Sequence, residues 1–454
     1  MTSGTCRSAP TAVIRKLTDD TLVVFLSDCH IGGDEGRDIF ESPDDLVALL
    51  ESLDDHPGPV ELVLAGDFFD LLRIGDVPES ETRASVTMSR PEYRELFATL
   101  QRFASGQNRT VVYLPGNHDA EAWWNREIRA ELERSGLVHE FALSYGAVFE
   151  SGADRVVYCE HGNQFDPTNT FRDYDNPLDT PLGDHVVTEL LPRLPKGWES
   201  EGGNLRDVDR VFPLAGITQW LAGRLYYVTA TRIVLWLLLP LLILYGVHAL
   251  VQGGGSVDVL VELAYDIAVI LLVFGLFLFI AGRATGQFIR SSAARAGVDS
   301  EPELIRSRLE AGEPPPLADA FTGEIGVFVS GHTHAPALTH FAGPTGQRGA
   351  IVNSGCWLRQ LQPVPAHLGA PPVYVSRFVQ THVRVYWDRG TIQVELWEHP
   401  RPAKPRLRVT EWLAVAGHIP AEPDAGAQPR VRAWASVEVG QSRPVTSQRE
   451  GEHG

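Results

Sequence analysis

Five short stretches of the 454-residue sequence carry side chains able to bind metal and move protons. They are Asp28-Cys29-His30, Gly66-Asp67-Phe68-Phe69-Asp70, Gly116-Asn117-His118-Asp119, His161-Gly162-Asn163 and Gly331-His332-Thr333-His334. Singly, each is ordinary. A strand-end Asp or Asn is usually a turn or helix cap, and an isolated His such as His139 or His340 is usually a satisfied surface or core residue. Together they supply imidazole and carboxylate donors, a set suited to Mn, Fe, Zn or Co ions. The four cysteines, Cys6, Cys29, Cys159 and Cys356, are widely spaced and form no Cys-x-x-Cys pair. Neither a disulfide framework nor a thiolate zinc site can be built from them. Any metal must be held by His, Asp and Asn, and Cys29, lying between two donors, reads as a small packing residue.

All five stretches occur in order, each after an apolar, strand-like run. In this the sequence resembles the calcineurin-like metallophosphoesterase superfamily, over about residues 22–165 and 325–400. The resemblance implies a four-layer α/β/β/α sandwich and hydrolysis of a phosphate ester or pyrophosphate. At neutral pH that chemistry needs an activated water and stabilised charge on the phosphoryl oxygens, and two divalent ions ~3.5–4 Å apart supply both. Carried over residue by residue, one ion would be held by Asp28, His30 and His334. The other would be held by Asn117, His161 and His332, with Asp67 bridging and a hydroxide shared by the ions attacking phosphorus. Manganese is the expected metal, with iron, zinc or cobalt as alternatives.

The resemblance gives His118 the catalytic role of stabilising the transition state or protonating the leaving oxygen, with Asp119 orienting it. Asp70 would support the metal ligands from behind, and Gly66, Gly116 and Gly331 would let the backbone turn tightly beside the ions. No ligand position is missing. That counts against a non-catalytic, membrane-attached interaction module on the same fold, since scaffolds within the superfamily have lost ligands. The sequence looks most like bacterial membrane-associated enzymes of the UDP-2,3-diacylglucosamine hydrolase group, which implies a lipid-linked or nucleotide-linked substrate. It departs from that group at His118, where the group has Arg. Asn163, Arg172 and Arg359 are candidate substrate contacts, as Arg suits phosphate recognition; turn formation and solvation are the competing readings.

The elements that must position these residues are legible as periodicity. Apolar runs at Leu22–Leu26, Val60–Ala65, Thr110–Leu114 and Val156–Cys159 alternate with helical stretches at Pro43–Leu53, Pro91–Ser105 and Ala120–Ser135. Strands alternating with helices predict a largely parallel sheet with its working loops at the carboxyl ends of the strands. Val373–Tyr374, Val383–Trp387 and Ile392–Trp397 read as antiparallel strands, with Asp388–Gly390 as a hairpin turn.

The expected organisation is a flexible leader (1–20), a first half-domain (21–165), an insertion (166–320), a second half-domain (321–400) and a tail (401–454) disordered beyond about 420. The polar first 20 residues and the short run Thr21–Leu26 exclude a signal-peptide core. The insertion carries a hydrophobic helical hairpin at 233–251 and 263–281, each segment close to the ~20 residues needed to cross a bilayer. Arg224, Arg232, Arg283, Arg290 and Arg295 flank it, only the acids Asp258, Glu262 and Asp266 interrupt it, and Trp220, Tyr226 and Tyr227 suit an interfacial belt. The positive-inside rule then places both ends, and the catalytic domain, at the cytoplasmic face of the inner membrane. A buried or dimer-forming soluble hairpin is the alternative.

A hydrophobic fraction of 44% and a charged fraction of 21% are those of a folded chain. The net charge of −19 argues against bulk nucleic-acid binding. All of it sits in residues 1–200, with 17 Lys and Arg against 36 Asp and Glu; residues 201–454 hold 22 of each. The acidic half is the one that supplies most of the expected metal ligands.

Overall fold

The computed structural model describes residues 11–152, 155–190, 205–212, 216–253, 257–293, 301–318, 320–405 and 407–439. Two sheets pack face to face. One has the order β1 (Ala12–Leu17), β6 (Ser144–Phe149), β7 (Arg155–Glu160), β8 (Glu324–Ser330), β10 (Arg348–Asn353), β9 (Ala337–Ala342). The other runs β14 (Arg430–Glu438), β13 (Thr391–Glu398), β12 (Val373–Asp388), β2 (Leu22–Leu26), β3 (Val60–Ala65), β4 (Arg109–Leu114), β5 (Glu140–Phe141), with β11 (Trp357–Val364) paired to β12.

Alternation along the strands explains why they are apolar throughout. On β2, Val23 and Phe25 face the other sheet, where they join Val63, Val112, Val157 and Val327 in the inter-sheet core. Leu22, Val24 and Leu26 face outward under the helices α1 (Pro43–Asp54), α2 (Arg94–Ala104) and α3 (Arg126–Arg134). Both faces of the strand are covered, so both sets of side chains are apolar. The six-stranded sheet likewise buries Tyr158, Phe328 and Ile351 beneath Ile305 and Leu309. The result is helices, sheet, sheet, helix: the four-layer sandwich. β2, β3, β4 and β5 are parallel neighbours, whereas β12, β13 and β14 pair antiparallel. The single helix expected over Ala120–Ser135 breaks at Asn125, which is extended and caps α3 by accepting from Glu127 N at 3.0 Å.

The apolar helices lie between β7 and β8 in the chain. They are α4 (Ile217–Ile233), a π-helical turn at Val234–Leu238, α5 (Leu239–Gly253) and α6 (Val257–Ala293). Two stretches, Ile217–His248 and Ala264–Thr285, are long and apolar enough to cross a membrane. The first starts well before 233 and the second runs past 281 to Thr285, because helical hydrogen bonding continues through polar residues at those two ends. The base of α4 is tied down by buried Trp220, Tyr227 and Ala230, while Trp236, Leu244, Leu272 and Phe277 are exposed. The Tyr245 hydroxyl donates to Asp266 across the hairpin. Arg295 and Cys6 lie outside the described residues, as does the leader before residue 11.

Two expectations about the ends are corrected. Ala12–Leu17, assigned to a flexible leader, is β1: Val13 and Leu17 are buried, and Arg15 pairs with Glu61 at 2.8 Å and Glu140 at 2.7 Å. Arg430–Glu438, assigned to a disordered tail, is β14, paired antiparallel along β13. Its Ala435 and Val437 are buried at alternate positions, a period-2 pattern hidden by the Ala-, Gly- and Pro-rich surroundings.

A buried imidazole pair, where β12 passes from pairing with β11 to pairing with β13, makes stability pH-dependent. Arg384 Nε donates to His382 Nε2 at 3.0 Å, and His382 Nδ1 lies 3.1 Å from His399 Nε2. Accepting from Arg384 leaves the His382 proton on Nδ1, so the ring must be neutral. Burial, the second imidazole and Arg384 hold His382 well below the usual range; burial and Arg384 lower His399 to about 4. The unfolded chain takes up these protons below about pH 6.5, where the folded chain refuses them. Stability therefore falls as pH drops from about 6.5 toward 4, by up to about 1.4 kcal/mol per proton per pH unit. Thermal melts at pH 7.5 and 5.5 check this: His382→Gln should start less stable and lose less on acidification. Equal losses in both proteins would contradict it.

Candidate metal centre

The five donor-bearing stretches leave the carboxyl ends of β2, β3, β4, β7 and β8. The first three strands belong to one sheet and the last two to the other, so the stretches converge where both sheets end. The local backbone is unusual. Asp28, His30, Asp67, His332 and His334 all have positive φ, between 52° and 63°. Left-handed backbone costs a non-glycine residue about 1–2 kcal/mol, and strain concentrated in one place marks a functional site. Gly66 (φ 91°) packs so closely on the His161 ring that a Cβ there would overlap it. A Cβ on Gly331 would overlap Asp28 and Ser27.

The side chains form one continuous cluster. His334 Nε2 lies 3.1 Å from His30 Nε2 and 3.2 Å from Asp28 Oδ1. Two imidazole nitrogens this close suit a shared ion, each being able to bind it at about 2.0–2.1 Å. Asp67 Oδ2 lies 3.8 Å from His30 Nε2 and 3.3 Å from His161 Nε2, so it faces both halves of the cluster. His161, His332 and Asp67 form a second candidate ligand group. The Nδ1 of His161 meets the Ala65 carbonyl at 2.9 Å, which leaves Nε2 as the ligand nitrogen.

The donors fit divalent ions by two further observations. Among the described residues, Asn117 Oδ1 is buried without a hydrogen-bond partner, and buried Asp28 Oδ1 and His161 Nε2 face fellow donors, His334 at 3.2 Å and Asp67 at 3.3 Å, an arrangement costly for groups that have no other use. The electrostatics also favour a cation. Burial opposes charge on His161, but Asp67 and Asp28 outweigh it and raise its pKa to about 10. The same carboxylates let a divalent cation compete with that proton.

The calcineurin-like phosphoesterase family model matches residues 21–247, half of the chain. The chain belongs to the calcineurin-like phosphoesterase family. No curated protein matches it. The phosphoesterase is thus a metal-dependent hydrolase acting on phosphoester bonds. The matched span contains Asp28, His30, Asp67, Asn117 and His161, and the fold adds His332 and His334 from beyond it.

Around the donors, the role of Asp119 changes and that of Asp70 widens. Asp119 was expected to orient His118, but its carboxylate points into the turn above β3. It accepts from the backbone of Phe68 at 2.9 Å and Gly116 at 2.6 Å, and from the Tyr113 hydroxyl at 2.5 Å. Successive residues on a turn point in different directions, so adjacency to His118 does not bring contact. Asp119 fixes the loop carrying Asp67. The partner of His118 is Asp70, 2.9 Å from its Nδ1, and Asp70 also lies 3.4 Å from His30 Nδ1 and 2.6 Å from Arg73 Nε. Burial works against the His118 imidazolium, but Asp70 and Asp67 outweigh it and raise its pKa to about 9. Asp70 is itself kept ionised, against its burial, by His118 and Arg73.

Of the candidate substrate contacts, Asn163 is buried and donates to Asn169 O at 2.9 Å and the Tyr174 hydroxyl at 3.2 Å, holding its own loop together. The exposed Arg172 is fixed through its backbone, which donates to Asp179 at 2.6 Å. Arg359 pairs with Glu41 at 2.8 Å, away from the donors. Cys29 is fully buried in the core beneath the helices, as packing requires.

Two acidic groups were not singled out in the sequence. Asp166 Oδ2 holds His332 Nε2 at 3.2 Å. Glu301, at the start of α7 (Glu301–Ala311), lies against Gly162, and its buried carboxylate has no hydrogen-bond partner among the described residues. Asp166 lies in the loop that follows His161, where it reads as a turn former, and no local motif marks Glu301, whose position is set by tertiary packing.

Proposed function

We propose that the phosphoesterase is a dinuclear enzyme that acts at the cytoplasmic face of a membrane on a lipid-linked or nucleotide-linked phosphate ester or pyrophosphate. The observation that carries the dinuclear reading is Asp67 Oδ2 facing both His30 and His161. Asp28, His30 and His334 would hold one ion and Asn117, His161 and His332 the other, with Asp67 between them. The nitrogen and oxygen donors suit manganese, iron, zinc or cobalt, and manganese is the metal proposed. When bound, the ions supply a nucleophile at neutral pH and offset charge on the phosphoryl group.

The chain's own residues do the rest. Asp70 fixes His118 through Nδ1, so the other ring nitrogen is presented to the phosphoryl group or leaving oxygen as a proton donor. Asp166 and the Ala65 carbonyl hold the rings of His332 and His161 in place. Asp119 locks the Asp67 turn by accepting backbone N–H groups.

Membrane attachment rests on the exposed apolar side chains of α5 and α6, which the domain leaves uncovered. Replacing residues 233–281 with a short Gly/Ser link should release the protein to the soluble fraction. Its turnover of a water-soluble aryl phosphoester should stay within a few-fold of the intact chain. An intact chain that stays soluble without detergent would contradict the anchor. The hairpin also favours a second reading, a pyrophosphatase for a UDP-linked lipid of the UDP-2,3-diacylglucosamine type. A panel of aryl mono- and diesters, a nucleotide pyrophosphate and a UDP-lipid, assayed in detergent, separates the readings. Dominant turnover of the UDP-lipid selects the second, and comparable or higher turnover of simple esters excludes it.

A further inference from the structure

A cavity of about 560 Å³ lies at the root of the hairpin, between α4, the β11–β12 ribbon and the segment leading into α8 (Val409–Val415). It is on the far side of the ribbon from the metal centre. Arg359 and Leu361 of β11 line it, whereas Gln360 and Gln362 line the separate cavity that reaches His334. Alternate residues of a strand point to opposite faces.

The lining is cationic in a protein whose net charge is −19. Among the described residues, Arg210, Arg224, Arg359, Lys404 and Arg408 face three carboxylates, Glu41, Asp207 and Glu411. Two of the carboxylates are shared: Glu41 pairs with both Arg210 and Arg359, and Asp207 lies 3.7 Å from Arg210 and 3.8 Å from Arg224, while Glu411 pairs with Arg408 at 3.1 Å. Burial and the neighbouring Arg408 make the charged form of Arg224 less favourable, though Asp207 opposes this, and an anion would relieve that cost. Trp220 supplies an apolar wall, with the Arg224 guanidinium 5.0 Å from its ring centre. Planar guanidinium forks converging from several elements match the oxygens of a phosphate group.

We propose that this cavity binds a phosphate-bearing anion, either the headgroup of an anionic phospholipid or free phosphate, at a site separate from the metal centre. The headgroup source rests on the membrane reading above. α4 runs from the cavity directly into exposed apolar α5, so a headgroup would sit level with Arg224 while its acyl chains followed the hairpin.

The test uses the full-length protein in neutral detergent, with metals removed by chelation so that phosphate at the catalytic centre does not contribute. Calorimetry measures binding of inorganic phosphate, dihexanoyl phosphatidylglycerol and dihexanoyl phosphatidylcholine. One equivalent of phosphate or of phosphatidylglycerol should bind, in preference to phosphatidylcholine. Arg359→Gln should weaken binding about tenfold, the loss expected from one charge-assisted hydrogen bond. Lys404→Gln, at an exposed position that bears no packing, should weaken it several-fold. Both variants, reloaded with metal, should hydrolyse an aryl phosphoester like the wild type. Phosphate binding identifies free phosphate as a ligand, and phosphatidylglycerol binding alone identifies the headgroup. No binding of either, or binding unchanged in both variants, overturns the proposal and leaves the catalytic assignment standing.

Discussion

Asp67→Asn should remove hydrolysis by about 1,000-fold or more and lower the bound metal from two ions per chain toward one. The substitution changes charge and leaves shape almost intact, so folding is not the cause. Asp67 Oδ2 faces His30 and His161, while Oδ1 accepts from the backbone of His118 at 2.7 Å. An amide preserves one oxygen for these contacts but cannot bring negative charge between two cations. Asp28 would then be the only carboxylate among the seven proposed ligands, which is too little charge to keep two divalent ions close together. Metal analysis and turnover measured on the same preparation check this. A variant that keeps two ions and more than a tenth of wild-type turnover would show that Asp67 is not the bridge.

His118→Ala should behave differently. Its ring is held by Asp70 through Nδ1 and supplies none of the seven ligand positions, so both ions should remain. The rate constant should fall by about 100- to 10,000-fold, the range for loss of a positioned proton donor, while KM changes little. Asp70→Asn should reproduce part of that loss, because Asp70 positions both His118 and His30. Loss of metal in His118→Ala would make the residue a ligand, and unaltered turnover would remove it from the mechanism.

These two variants also show which parts of the centre are legible in the sequence. The position of a candidate ligand is local: each donor sits within a few residues of an apolar strand end, and strand-end geometry carries it to the cluster. The sequence thus brings Asp28, His30, Asp67, Asn117, His161, His332 and His334 into view. Side-chain direction on a turn is not local. Asp119 follows His118 yet serves the backbone of another loop, whereas Asp70, 48 residues away, is the partner of His118. Asp166, just past the His161-Gly162-Asn163 stretch, reads as a turn former, and Glu301 reaches the centre from a segment with no distinguishing motif. Sheet edges were obscured for a related reason: the short alternations in β1 and β14 are swamped by the composition of the ends, and pairing with β6 and β13 decides their conformation. The hairpin was visible from its length and lack of charge, but its limits were not, because a helix continues through Asp258, Glu262 and Arg232 when nothing interrupts its hydrogen bonds.

The central claim is that these seven side chains hold two ions that make the chain a phosphoester hydrolase. The most direct measurement is turnover of bis(4-nitrophenyl) phosphate and 4-nitrophenyl phosphate by full-length protein titrated with Mn²⁺ after chelation, with bound metal counted alongside. Activity should be absent without metal, rise with occupancy and plateau at two ions per chain. A chain carrying two ions yet inert toward monoester, diester and pyrophosphate substrates, or one equally active in excess chelator, would contradict the account.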